Sequence, residues 1–496
     1  MLLISAVGSS SSARARGRLP AHARGLAALA IASVTALASC AHEPAKAARA
    51  TEPTSAKVPP AAPAARTAST ASSTGGSTES HGRTPLVFVE DDYARALADA
   101  RAKKKPLFVD AWASWCHSCV SLKNFVFTDP ALEAKRDDFV WASIDTEKES
   151  NAAFNAKFPI TVLPTLWVID PEKETPLVKW TGSLTAAELV ALLEESKSPA
   201  DGARTAAFFR GNQLAAAGDT RGAIAAYRDA LSGAPDGWPR RAAVIDALVM
   251  RLSDAKEHAA CADLAATEGK RLPPGGSRTD TAVIGASCAL SLPKTSADRG
   301  RLLGALRADL EHLTSDRSLP LLADDRSGAF EALVDVHKDA KDAAAVKRVA
   351  ADWATFLEGE AARATTKEAR ATFDPHRLLA YIALDQPVRA LAMLDETERD
   401  FPSDYNPPAR LARAFFEMKR YDDAVAAADR ALAKAYGPRK LRIFVTKADV
   451  LAAKKDVAGE KRALRDGIDY AGTLTLREGY QKLRSDMQAR LDRLGK

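Results

Sequence analysis

Residues 105–119 read KPLFVDAWASWCHSC and contain the features that decide the fold of the N-terminal domain. The apolar run 107–109 predicts a buried strand, and Cys116 follows where the strand should give way to a helix. Cys116 and Cys119 stand two residues apart at that junction, a spacing typical of thiol–disulfide exchange sites. A cysteine at a helix N-terminus lies near unpaired backbone N–H groups and the positive end of the helix dipole, and both favour its thiolate.

Half of a zinc site has the same spacing, so a structural metal site is the first alternative. No second pair of cysteines and no paired histidines lie nearby in the sequence, and His117 stands between the two cysteines. No metal-ligand spacing connects the more distant histidines His258, His312, His337 and His376. The sequence therefore predicts no metal site, and no cofactor other than a redox-active disulfide between Cys116 and Cys119.

Strand and helix patterns alternate around this stretch from residue 85 to residue 197. Apolar runs predict strands near 86–89, 106–110, 139–144, 164–169 and 177–181, and the segments between most of them predict helices. The expected order is β-α-β-α-β-α-β-β-α. This order and length suit one α/β domain of about 110 residues.

Several residues of this domain resemble those of the thioredoxin-like superfamily. Asp110 stands where the family keeps a buried carboxylate, Leu163-Pro164-Thr165 resembles its cis-proline loop, and Gly182 matches the glycine before its last helix. The run 105–119, with Phe127-Thr128-Asp129-Pro130, resembles the C-terminal domain of the DsbD family of thiol:disulfide interchange proteins. The resemblance covers residues 85–197 and implies a thioredoxin fold there.

The resemblance also implies a role for each residue of the site. Cys116 is expected to attack a substrate disulfide, Cys119 to resolve the mixed disulfide, and Asp110 to serve as acid or base for Cys119. The residues expected to contact the substrate are Trp115, His117, Leu163 and Pro164. The residue pattern alone leaves three alternatives open. Asp110 could be exposed to solvent, the peptide bond before Pro164 could be trans, and His117 could have no effect on the Cys116 thiolate. Protein disulfides or thiols are the expected substrates, with a redox partner to regenerate the pair.

Two departures from the family pattern keep the direction of exchange open. Trp141 stands where thioredoxin itself has a lysine near the buried carboxylate, and the dipeptide between the cysteines is His-Ser. A histidine that stabilises the thiolate favours the reduced enzyme and hence a more oxidising potential. Similarity to DsbD favours reduction instead, and we expect a reductase.

Residues 203–496 change to a helical pattern rich in alanine, leucine, arginine and aspartate. The segments 208–235 and 411–432 each resemble a tetratricopeptide (TPR) repeat, a helix pair of 34 residues, and a third pair is expected in 445–470. We therefore expect an all-α TPR-like solenoid that binds an unidentified partner protein. The alternative is an irregular helical domain with chance matches.

Cys261 and Cys288 lie in the helical region, 27 residues apart in sequence. In an exported protein they are candidates for a disulfide across adjacent helices. The alternatives are two small buried apolar side chains, or a relay for Cys116.

The N-terminal residues resemble a bacterial lipoprotein signal. Residues 1–39 combine four arginines with the apolar run 25–38, and Leu37-Ala38-Ser39-Cys40 resembles a lipobox, with Cys40 as the lipidated residue. A plain secretory signal or a short core helix are the alternatives. Residues 40–84 are rich in alanine, proline, serine and threonine and predict a disordered linker. A lipid anchor in the outer membrane, facing the periplasm, is the expected location and the only expected membrane contact.

Charge argues against one class of partner. The 496 residues carry a net charge of +6. Four arginines before residue 40 account for most of it, so the rest of the chain gives no electrostatic case for nucleic acid.

The sequence predicts an exported thiol–disulfide oxidoreductase with a partner-binding helical domain. The alternative is a TPR scaffold whose first domain binds partners with little turnover.

Overall fold

The computed structural model describes residues 86–197 and 202–495. The predicted signal, Cys40 and the predicted linker lie outside these residues. Within them, no helix combines the length and the apolar character needed to cross a membrane.

The first part of the structure is an α/β domain with the predicted order of elements. Its strands are β1 Phe88–Glu90, β2 Leu107–Trp112, β3 Val140–Asp145, β4 Thr165–Asp170 and β5 Thr175–Thr181. Its helices are α1 Tyr93–Lys103, α2 His117–Ser121, α3 Ala152–Lys157 and α4 Ala186–Glu195. The expected order β-α-β-α-β-α-β-β-α is therefore confirmed.

The five strands form one mixed sheet in the order β1-β3-β2-β4-β5. Strand β2 lies at the centre, parallel to β3 and antiparallel to β4, so the residues at its C-terminal end emerge from the middle of the sheet. Both faces are covered. One carries α1 and α3 over Val109 and Trp167, and the other carries α4 over Phe108 and Leu166.

The helix that carries the cysteines is short, and the sequence pattern predicted no bounds for it. Helix α2 ends at Ser121 and continues as a π-helical turn, Leu122–Val126, and a 3₁₀ segment, Pro130–Asp138, follows. The 3₁₀ segment begins where Asp129 accepts a hydrogen bond from the Ala131 amide and Pro130 takes the first helical position. Proline is tolerated there because its missing N–H would have no partner.

All remaining elements are helices, most of them packed against their neighbours in sequence. Their bounds are α5 Gly202–Ala216, α6 Thr220–Leu231, α7 Arg241–Asp254, α8 His258–Glu268, α9 Gly276–Ser291, α10 Arg299–Ser315, α11 Ala323–Asp339, α12 Ala343–Arg363, α13 Lys367–Ala371, α14 Asp374–Ala383, α15 Ala390–Asp400, α16 Asn406–Glu417, α17 Tyr421–Lys434, α18 Lys440–Ala453, α19 Val457–Ala471 and α20 Glu478–Gly495. Short 3₁₀ turns interrupt them at Gly269–Arg271 and Pro387–Arg389.

The three helix pairs expected from the TPR pattern are α5–α6, α16–α17 and α18–α19. In the first, the side chain of Tyr227 lies against Gly211, where a Cβ atom would come within 2.4 Å of the ring. A residue with a Cβ atom at position 211 would therefore require the Tyr227 ring to move. The all-α character of this region is therefore confirmed.

A disulfide joins Cys261 on α8 to Cys288 on α9, and both residues are buried. Replacing both with alanine is expected to lower the free energy of unfolding of the helical domain by about 3 kcal/mol, because the bond closes a loop of almost thirty residues in the unfolded chain. Urea denaturation followed by far-UV circular dichroism measures the change. The Cys116–Cys119 bond closes a much shorter loop, so replacing those two cysteines with alanine is expected to lower the free energy of unfolding by less. An unchanged urea midpoint would contradict the prediction.

Candidate active site at the Cys116–Cys119 pair

Cys116 occupies the N-cap position of α2, directly after the centre of the sheet. Its sulfur accepts a hydrogen bond from the Cys119 amide at 3.2 Å and forms a disulfide with Cys119. The Ser118 hydroxyl lies 3.6 Å from the same sulfur. A thiolate at this position would keep the hydrogen bond from the Cys119 amide, and the positive end of the helix dipole would stabilise its charge.

The surroundings of the disulfide are apolar. Cys116 and Cys119 pack with Trp112, Trp115 and Leu163, and the Leu163–Pro164 peptide is cis. Cys119 is completely buried, and Cys116 is only 4% exposed. The structure therefore brings the predicted proline loop onto the predicted redox pair.

Asp110 lies on β2, completely buried, and its carboxylate oxygens accept no hydrogen bond from the residues that the structure describes. Burial raises the pKa of Asp110 to about 7, although the nearby charge of Lys123 lowers it. The Lys123 ammonium lies 3.8 Å from the carboxylate and donates to the Ser143 hydroxyl at 2.6 Å. Asp110 is therefore not solvated, and it can exchange a proton near neutral pH.

Lys123 is a site residue that sequence reasoning missed. Trp141 stands at the family's lysine position in the sequence, and it packs in the apolar layer with Phe88 and Phe108. The charge near Asp110 comes instead from the π-helical turn after the cysteines. The sequence did offer one signal for Lys123. It stands four positions after Cys119, and residues four positions apart lie on the same face of a helix.

Comparison with known proteins identifies the domain that holds this site. Residues 89–171 match the thioredoxin-like family model. That range includes Asp110, both cysteines and the cis-proline loop. The chain contains a thioredoxin-like domain.

The thioredoxin-like domain is also similar to part of a thiol:disulfide interchange protein, DsbD. The chain is 34% identical to DsbD of Pseudoalteromonas atlantica over 123 residues, which are 24% of this chain and 21% of the relative. It is 27% identical to DsbD of Salmonella paratyphi A over 126 residues, 25% of this chain and 22% of the relative. The chain thus spans about a fifth of the length of these curated relatives.

Solved structures of TPR proteins match the helical part. A TPR protein of Parabacteroides merdae matches 57% of this chain and 98% of its own, with a TM-score of 0.36 and 10% identity. A TPR protein of Thermus thermophilus matches 50% of this chain and all of its own, with a TM-score of 0.26 and 20% identity.

The helical domain covers the redox face of the thioredoxin-like domain. The Ser114 hydroxyl, two residues before Cys116, donates to the Tyr405 hydroxyl at 3.2 Å, and the Ser114 carbonyl oxygen accepts from the side-chain Nδ2 of Asn406 at 3.1 Å. The Arg439 guanidinium stacks 4.5 Å from the Trp115 ring. Trp115 was predicted to contact substrate, and in this arrangement it contacts the protein's own helices. We refer to Tyr405, Asn406 and Arg439 as the cover.

The helical domain also contacts the thioredoxin-like domain beside the C-terminal end of β3. Tyr436 donates to Asp145 at 2.5 Å, and the Arg439 amide donates to Glu147 at 2.7 Å. Gly437 has a φ of +61° and lies so close to Glu147 that a Cβ atom would come within 2.3 Å of its carbonyl oxygen. Only glycine satisfies both constraints without strain. The backbone contact between Gly437 and Glu147 is as close as contacts within the core of one domain.

His117 also contacts the helical domain. Its Nδ1 atom lies 2.9 Å from both carboxylate oxygens of Asp324 on α11, and His376 of α14 contacts the same carboxylate at 3.1 Å. Burial alone would raise the pKa of Asp324, but the two imidazoles outweigh burial and hold it well below its ordinary value. Sequence reasoning missed both partners, because they lie more than 200 residues beyond His117.

Proposed function

We propose that this protein is a thiol–disulfide oxidoreductase that reduces disulfides of protein substrates through Cys116 and Cys119. One observation carries the proposal: a disulfide-forming cysteine pair caps a helix beside a cis-proline loop, in the same domain as a buried carboxylate. The similarity of this domain to a thiol:disulfide interchange protein supports exchange chemistry at this pair, and the reducing direction is our proposal from the family resemblance of its sequence.

The proposed reaction begins with both cysteines reduced. The Cys116 thiolate attacks one sulfur of the substrate disulfide, which forms a mixed disulfide and releases the other substrate sulfur as a thiolate. Cys119 then attacks Cys116, and the second substrate thiol leaves. Two electrons pass to the substrate, and the enzyme ends with the Cys116–Cys119 disulfide, which a redox partner must reduce again.

Asp110 is the proposed base for the second step. Cys119 must lose its proton before it can attack Cys116, and it is buried where bulk water does not reach it. A carboxylate with a pKa raised to about 7 is half-ionised near neutral pH and is well matched to accept that proton. We propose that the positive charge of Lys123 stabilises the ionised form of Asp110 and so keeps its pKa from rising further.

The proposed location is the outer membrane, with the protein anchored through lipidated Cys40 and facing the periplasm. The support is the signal-like pattern of residues 1–39 with its lipobox-like end. The predicted linker 40–84 would give the folded part reach away from the anchor. The helical domain is proposed to bind a protein partner, since its stacked helix pairs leave long solvent-facing surfaces.

Catalysed reduction of insulin by dithiothreitol tests the proposal. The wild-type protein is expected to speed precipitation of the insulin B chain, and a Cys116→Ser/Cys119→Ser protein is expected to match buffer. Equal rates for the two proteins would contradict an enzymatic role. The reduction potential of the pair then tests direction: a value near about −270 mV marks a reductant and one near about −120 mV an oxidant.

A second candidate function is that of a binding scaffold with little turnover. The contacts made by the helical domain favour this alternative, because Trp115 and His117 are engaged by it and Cys116 is nearly inaccessible. The insulin assay separates the two candidates, since a scaffold would show no turnover even when the cover is weakened by substitution.

A further inference from the structure

Three side chains from three distant segments converge beside the cysteine pair. His117 begins α2, Asp324 lies in the first turn of α11, and His376 lies in the first turn of α14. Their ligand atoms all lie within 4.8 Å of one another. The two imidazole nitrogens, His117 Nδ1 and His376 Nε2, are 3.2 Å apart, and the carboxylate lies 2.9 Å from the first and 3.1 Å from the second. We call this group the His–Asp–His cluster.

The burial of the cluster resembles that of an open metal site rather than a surface ion pair. The Asp324 side chain is 4% exposed and the His376 side chain 1%, whereas the His117 side chain is 24% exposed. Asp324 and His376 are thus enclosed by protein, and His117 is the member of the group that solvent reaches. Three protein ligands with one open position are the arrangement of catalytic-type zinc sites.

We propose that the His–Asp–His cluster binds one divalent transition-metal ion, with Zn²⁺ as the representative ion. Bonds of about 2.0–2.1 Å in a tetrahedral site place neighbouring ligand atoms about 3.3 Å apart. The observed separations of 2.9–3.2 Å are a few tenths of an ångström shorter, so a small outward shift of the side chains admits the ion. Two imidazoles and one carboxylate suit Zn²⁺ and similar ions, while Mg²⁺ and Ca²⁺ prefer oxygen ligands throughout.

The site would join the two domains at the redox pair. His117 directly follows Cys116, and the other two ligands belong to the helical domain. A bound ion would therefore tie α2 to α11 and α14 and hold the helical domain over the cysteines. This inference does not rest on the proposed function, because binding can be measured on the oxidised protein without any turnover.

A hydrogen-bonded group without metal is the competing explanation. Each imidazole can donate one N–H to a different oxygen of Asp324, which satisfies the carboxylate. The two explanations predict different responses to added metal. A metal site binds the ion tightly, whereas a purely hydrogen-bonded group does not.

Equilibrium dialysis against Zn²⁺ with elemental analysis tests the proposal. All samples are the full chain without an affinity tag, with both disulfides oxidised and Cys40→Ser, so that no free thiol competes. The wild-type cluster is expected to bind one Zn²⁺ per chain. His117→Gln, Asp324→Asn and His376→Gln are each expected to weaken binding at least about 100-fold, since loss of a ligand should exceed the effect of an outer-shell change. His337→Gln, a buried histidine on the same helix as Asp324, is the matched control and should bind as the wild type does.

A second readout protects the test against misfolding. Zn²⁺ should raise the Tm of the wild type and of His337→Gln, but not that of His117→Gln, which changes the most exposed ligand and should leave the fold intact. Failure of the wild type to bind Zn²⁺ at one equivalent would overturn the proposal. Binding by His117→Gln with unchanged affinity would overturn it too, whatever the other two variants do.

Discussion

Asp110→Asn is expected to stabilise the protein by about 2–4 kcal/mol at pH 8 and by no more than about 0.5 kcal/mol at pH 4. The same change is expected to slow turnover roughly 100-fold, because a buried base is lost. Urea denaturation at pH 4, 6 and 8 measures the first effect, and the insulin assay measures the second.

The sign of the stability change comes from the raised pKa. An unfolded aspartate has a pKa of about 3.9, and burial raises the pKa of Asp110 to about 7 in the folded protein. Folding therefore favours the protonated form. Well below pH 4 the carboxyl is protonated in both states and costs nothing, and the cost grows as pH rises from about 4 towards 7. At about 1.36 kcal/mol per pKa unit, the full cost above pH 7 is at most about 4 kcal/mol.

Glu133→Gln is the matched control, since it neutralises an exposed carboxylate in the same domain. It should change neither the stability at pH 8 nor the turnover. If Asp110→Asn were less stable than the wild type at pH 8, a structural role for the charged carboxylate would replace the role proposed here.

The double substitution Asn406→Ala/Arg439→Ala is expected to speed alkylation of Cys116 about 30–100-fold. It removes the hydrogen bond to Ser114 and the cation–π contact with Trp115. Together these contacts should stabilise the closed arrangement by about 2–3 kcal/mol, and each 1.4 kcal/mol corresponds to about a tenfold change in the opening equilibrium.

A background of Cys40→Ser and Cys119→Ala makes the measurement clean. Cys116 is then the single free thiol, because Cys261 and Cys288 remain in their disulfide. A bulky maleimide reports its accessibility by the rate of the mass increase. Arg430→Ala, which removes an ion pair with Glu398 within the helical domain, serves as the control and should leave the rate unchanged. Equal rates in all proteins would mean that reagents reach Cys116 without displacement of the cover.

Local patterns were sufficient to predict the α/β domain. The apolar run of β2, the threonine that caps α4 and the glycine at 182 each act over a few residues, and the structure places them as expected. The break after α2 was missed, because nothing in 117–126 forbids a longer helix. The pairing of Cys261 with Cys288 stayed open for a different reason: spacing along the chain does not say which helices become neighbours.

The site was predictable only where its residues lie close in sequence. Asp110, Cys116 and Cys119 are within ten residues of one another, and family resemblance supplied Pro164. Lys123 was hidden because the family places its lysine on β3. Asp324, His376 and the cover come from helices 200 to 330 residues later, whose sequences carry no mark of the domain they contact. Only the tertiary arrangement relates them to the redox pair.

The distance along the chain between the cysteine pair and its cover also has a consequence in time. Asn406, which binds Ser114, follows it by 292 positions. Ribosomes add about 5–20 residues per second, so the thioredoxin-like domain emerges roughly 15–60 s before that part of the helical array. Until those later residues dock, the pair lacks the contacts with Asn406 and Arg439 that it has in the complete fold. A thiol or disulfide formed before docking is therefore the one that the helical domain encloses.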